Sequence, residues 1–165
     1  MAINIIDGPL RVRGRVTPEF LDVPAETITN QAVSSSASIA ATKLQHEHHR
    51  TYAQESDTAA ADETRVVHVV RGATATLVGV AAGAVGPAIG DATVSVDLLK
   101  NGVSLLTAPI ELSSSQSAYE LVAGAFASGA LVQNDVLEVE ITGAAGTGTL
   151  PDGVFCCLVV REAPA

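Results

Sequence analysis

The most constraining stretch of this chain is 91–107, DATVSVDLLKNGVSLLT. Val94, Val96 and Leu98 alternate with Thr93, Ser95, Asp97 and Leu99. After Asn101-Gly102, Val103, Leu105 and Thr107 alternate with Ser104 and Leu106. Two runs with a period of two, joined at Asn-Gly, are the strongest short-range signal for a β-hairpin. A type I′ turn needs positive φ at both central residues. Asn tolerates that conformation and Gly has no Cβ to oppose it. The turn tip, 100–102, is expected to be exposed and tolerant of change.

The same alternation recurs on the C-terminal side. In 135–142 (DVLEVEIT), Leu137, Val139 and Ile141 share one face, and Val136, Glu138 and Glu140 the other. Residues 154–161 (VFCCLVVR) are too apolar for a solvent-facing edge and are expected to lie centrally. Residues 65–71 (RVVHVVR) are apolar on both faces, which predicts a central or doubly covered strand. A further strand is expected at 74–82, and 118–123 reads as a strand or a short helix. Gly- and Ser-rich connections separate these runs at regular spacing. The pattern predicts an all-β, antiparallel β-sandwich or jelly-roll-like domain over 65–165.

The upstream third differs in character. Residues 1–29 carry Pro9, Pro18 and Pro24 and are read as an extended N-terminal arm. Residues 1–16 have a net charge of +2, which leaves −11 on the rest of a chain whose total is −9. Arg11, Arg13 and Arg15 are spaced by two, so in an extended segment they point the same way. They are read either as a row of guanidiniums for an acidic partner surface or as a solvated edge. Residues 30–64 are read as a linker and subunit-contact segment. Its 36–56 portion buries no clean face with either a helical or a strand period.

Composition narrows the function classes. Aromatic residues make up 3% of the chain and Trp is absent, so stacking platforms for bases or sugars are scarce. The acidic balance disfavours nucleic-acid binding through a general basic surface. No leader-like segment is expected, because 1–14 lacks a basic start before its short apolar run. The apolar stretch 73–89 is broken by Gly79, Gly83, Gly86 and Pro87, so no membrane span is expected. Cys156 and Cys157 are adjacent and read as reduced thiols, at least one of them in a core.

The candidate chemistry is sparse. His46, His48 and His49 cluster in LQHEHHRTY. An H-x-H in a strand places two imidazoles on one face, which is workable metal-ligand spacing. A cupin-type site would want a nearer Glu than Glu55 and a second motif, so no metal is assigned. A subunit contact is the preferred reading of the three histidines, with an ion on a symmetry axis as the other. His68 is expected to be a satisfied core or interface histidine. The serine runs lack a G-x-S-x-G context, and GAAGTG (143–148) lacks the Lys-Ser/Thr end of a phosphate loop. Asp91, Asp97 and Asp135 read as turn-stabilising residues. No catalytic residue and no cofactor is assigned.

VSVDLLKNGVSLLT, the serine-rich link and QNDVLEVEITGAAGTGTLPDGVFCCLVVRE together resemble the small β-sandwich proteins of tailed-phage virions. The capsid decoration, or cement, proteins are the class most resembled. The resemblance spans 65–162 in style, and the Pro/Arg-bearing arm in character. It implies a non-enzymatic virion structural protein on the outer capsid surface, assembled in the host cytoplasm. Its implied partner is the major capsid protein, bound by a homotrimer that bridges capsid subunits, with neither nucleic acid nor membrane as a partner. Arg11, Arg13, Arg15, His46, His48 and His49 would be the capsid- or subunit-contact residues. The alternatives are a head-fibre, tail or other surface-binding module, and a cupin-like metalloprotein.

Overall fold

A computed structural model describes residues 46–163. The expected arm, its three arginines and the first part of the 30–64 segment lie outside the described residues. Among the described residues there are ten strands and no helix. They are β1 (His46–Ala53), β2 (Glu63–Val69), β3 (Thr74–Ala84), β4 (Thr93–Lys100), β5 (Val103–Ser104), β6 (Ile110–Leu112), β7 (Val122–Ala123), β8 (Ala130–Val132), β9 (Val136–Ala144) and β10 (Val154–Glu162). One sheet runs β1-β10-β3-β7, with β8 also on β3. The other runs β2-β9-β4-β5, with β6 also on β4. All pairings are antiparallel. The protein is an antiparallel β-sandwich.

Alternation builds the core. Val94, Val96 and Leu98 of β4 and Leu137, Val139 and Ile141 of β9 face inward from one sheet. Leu77, Val80 and Ala82 of β3 and Val154, Cys156, Leu158 and Val160 of β10 face them from the other. Each Leu or Val removed from water in this way contributes about 1.5–3 kcal/mol before entropy is counted. As its composition requires, β10 is central, between β1 and β3. Burial pushes the Cys156 thiol up to about 12, so it packs as a small hydrophobe, while Cys157 is half-buried on the outer face.

The hairpin is present, with Asn101 at φ 52° and Gly102 at φ 79°. Its tip is exposed, but it is more than a tolerant turn. Asn101 Nδ2 donates to Asp135 Oδ1 at 2.8 Å, and Asn101 Oδ1 accepts from the Val136 N–H at 2.9 Å. One side chain thus ties the β4–β5 turn to the start of β9. The three aspartates are structural. Asp91 Oδ1 accepts from the N–H and hydroxyl of Thr147, Asp97 Oδ1 from Ser104, and Asp135 Oδ2 from the Val132 N–H.

Two expectations are corrected. The sandwich does not begin at 65: His46–Ala53 is a full strand in register with β10, from His46 opposite Glu162 to Ala53 opposite Phe155. Nor is the RVVHVVR strand central. β2 pairs with β9 alone, and Val66 and Val69 are 59% and 37% exposed. Its two apolar faces have a local cause. Val66 and His68 are opposite consecutive residues of β9, Glu138 and Leu137, so Val67 is an extra residue in the strand. Such a bulge reverses the alternation. It turns His68 inward, where a regular strand would have pointed it to solvent.

Candidate functional site

β1 and β2 end their sheets on the same side of the sandwich, and the space between them is polar. Strand alternation points His46, His48, Arg50 and Tyr52 of β1 toward the opposing sheet. From β2 come Glu63, Arg65 and, after the bulge, His68. Glu162, the last residue of β10, enters from behind. The result is a seam with two distinct ends.

At one end, His48, Arg50, Val66, Val67, His68, Val69, Arg71 and Glu162 line an open groove of about 330 Å³. Glu162 is its buried anchor. Glu162 Oε2 accepts from the Gly72 N–H at 2.6 Å and the Arg71 N–H at 3.1 Å. Glu162 Oε1 lies 2.7 Å from His68 Nε2 and 3.9 Å from His48 Nε2. Burial pulls this carboxyl upward. The Gly72 N–H, the His68 ring and the Arg71 N–H together outweigh that pull and hold it below the ordinary range. Gly72 permits the arrangement, because a Cβ there would stand 2.3 Å from the Ala163 carbonyl oxygen.

The His68 ring has no spare nitrogen. Arg50 Nε donates toward Nδ1 at 3.4 Å, so Nε2 carries the proton shared with Glu162. A catalytic His–carboxylate pair would turn its second nitrogen to a hydroxyl or thiol. Here that nitrogen faces a guanidinium donor, so the pair positions Arg50 and locks two strands together. His48 lies beside it with its ring tilted by 39° and the ring centroids 5.3 Å apart. Among the described residues, no group of three His, Cys, Asp or Glu is arranged to hold a metal ion.

At the other end, Glu63 gathers donors. Tyr52 Oη donates to Oε1, Gln54 Nε2 to Oε1 at 2.8 Å, and Arg65 Nε to Oε2 at 2.9 Å. The Tyr52 bond is the largest of the influences that lower the Glu63 carboxyl. Burial, followed by the same bond, raises the Tyr52 phenol. This cluster borders a second recess of about 420 Å³, beside the loop that holds Glu55, Thr58 and Asp62.

The three expected histidines do not converge. His46 and His48 share the seam face, with ring centroids 6.4 Å apart. His49 points to the opposite face, where its ring meets Glu47 Oε1 at 3.1 Å. His68 is the buried, satisfied histidine anticipated from sequence. The residues missed were Glu162 and Arg71. Glu162 lies 94 positions from His68, and only the pairing of β10 with β1 brings it to the seam. No helix among the described residues is long and apolar enough to cross a membrane. The class defined by this architecture is a two-sheet antiparallel sandwich with one polar, open edge. The chain matches no known protein-family model and no curated protein at a significant level.

Proposed function

We propose that this protein is a virion structural protein of the capsid decoration class, binding the outer surface of a phage head through its N-terminal arm. The observation that carries the reading is where the chain enters the sandwich. The first described strand, β1, is a sheet edge, and 45 residues precede it, among them Arg11, Arg13 and Arg15. A segment that starts from an open edge can reach a neighbouring surface without disturbing the core. Many weak copies on a repeating lattice then gain avidity.

The sandwich itself supports a scaffold role. Among the described residues, no buried side-chain nitrogen or oxygen lacks a hydrogen-bond partner. Asp91, Asp97, Asp135, His68 and Glu162 are engaged in holding turns and strands together. The test is deletion of residues 1–29, followed by co-sedimentation with capsids. The shortened protein is expected to stay folded and to lose capsid binding, and full retained binding would refute the reading. A head-fibre or tail module could use the same sandwich and would differ in copy number.

A further inference from the structure

The two ends of the β1–β2 edge carry opposite, uncompensated charge. Arg65 pairs with Glu63, and Arg161 pairs with Glu47. Arg50 and Arg71 have no carboxylate partner among the described residues, and both line the groove. Arg50 meets only the His68 ring, while Arg71 has its main chain engaged. The one carboxylate in the groove, Glu162, is buried and its oxygens are taken up by the Gly72 and Arg71 N–H groups and the His68 ring, so the two guanidiniums outnumber it. This is a cationic spot on a chain of net charge −9.

The other end is its counterpart. In the loop between β1 and β2, Glu55, Asp57 and Asp62 are exposed and have no cationic partner among the described residues. Between the two ends, β2 has a sheet neighbour on one side only, and Val66 and Val69 stand exposed beside it. An open edge with apolar side chains favours pairing with another chain.

We propose that the β1–β2 edge is a self-association surface in which the Arg50–Arg71 groove of one copy receives the acidic 55–62 loop of a second copy. The surface is self-complementary, because every copy carries both halves. Charge decides between the possible occupants. The chain's own arm sets Arg11, Arg13 and Arg15 against Asp7, Glu19, Asp22 and Glu26, a net of −1 spread over residues 1–29, whereas the 55–62 loop concentrates Glu55, Asp57 and Asp62 with no cation among them. Val66 and Val69 would be removed from water by the same contact. The inference does not depend on the capsid reading.

The test is sedimentation equilibrium on the full chain. The wild type is expected to self-associate, and more weakly as salt rises. Reversing the groove (Arg50→Glu with Arg71→Glu) should weaken association on the order of a hundredfold, the scale of like-charge juxtaposition. Reversing the loop (Glu55→Lys with Asp57→Lys) should do the same. Mixing the two variants should restore a heteromeric complex, which would also establish that both are folded. A monomeric wild type would overturn the proposal. So would undiminished association of either variant, or a mixture that stays unassociated. Loss of association on deleting residues 1–45, with the groove variant unaffected, would identify the arm as the occupant and overturn it equally.

Discussion

Replacing Glu162 tests the seam most sharply. The side chain is 6% exposed and makes three contacts: the Gly72 and Arg71 N–H groups and the His68 ring. Glu162→Ala leaves all three without their acceptor in a region that water enters poorly. Each stranded buried polar group costs about 1–3 kcal/mol. Breaking a buried pair by removing one member costs about 3–5 kcal/mol, and that is the expected loss here. Glu162→Gln keeps the shape and one acceptor oxygen, so it should cost about 1–2 kcal/mol. Urea unfolding followed by far-UV circular dichroism reads both. With a slope of about 1–3 kcal/mol per molar for a small domain, the Ala variant should shift the midpoint down by about 1–5 M.

The pH dependence follows from the same group. The fold holds the Glu162 carboxyl below its ordinary 4.5, so folding favours the ionised form. Its contribution is therefore complete above pH 4.5 and is lost as pH falls through the lower, folded value. Glu63 and Asp135 are lowered too, so wild-type stability declines through the same acid range. Glu162→Gln should decline less steeply there. An Ala variant within about 0.5 kcal/mol of wild type would refute the reasoning, since changes of that size are typical of exposed sites without specific contacts. An unchanged acid slope in the Gln variant would refute it as well.

Other outcomes are expected. Asn101→Ala removes two hydrogen bonds to the start of β9 and places Ala at positive φ, for a loss of about 1–3 kcal/mol in the same urea assay. Asn101→Gly should fall between, because it relieves the turn but not the lost clamp. In native protein, a thiol reagent should modify Cys157 well before Cys156, whose buried thiol is pushed up to about 12; mass spectrometry of the labelled peptides checks the order. Changing Arg11, Arg13 and Arg15 to Gln should weaken capsid binding most at low salt, with the difference from wild type shrinking as salt rises; equal binding at every salt would make the row a solvated edge.

The legible parts of the fold were those with one buried face. The 91–107 hairpin, the Leu137–Val139–Ile141 face and the central place of β10 all follow from alternation and apolar content. β1 was not legible, because its inward residues His46, His48 and Arg50 face a polar seam instead of the core. β2 misled for a related reason. The bulge at Val67 changes the phase in mid-strand, so an edge strand reads as apolar on both sides. Of the seam, the H-x-H pair of His46 and His48 and the satisfied state of His68 were accessible from sequence. Glu162 was not, since nothing local marks a carboxylate whose partners lie about 90 positions upstream.

The central claim is a structural role on a capsid surface, and copy number in purified particles tests it most directly. Quantitative mass spectrometry against the major capsid protein, with electron cryomicroscopy to locate the sandwich, would give both number and place. A decoration protein should be present in proportion to the capsid lattice, on the outer face of the shell. A handful of copies confined to a vertex, a tail or a fibre, or none in the particle at all, would contradict it.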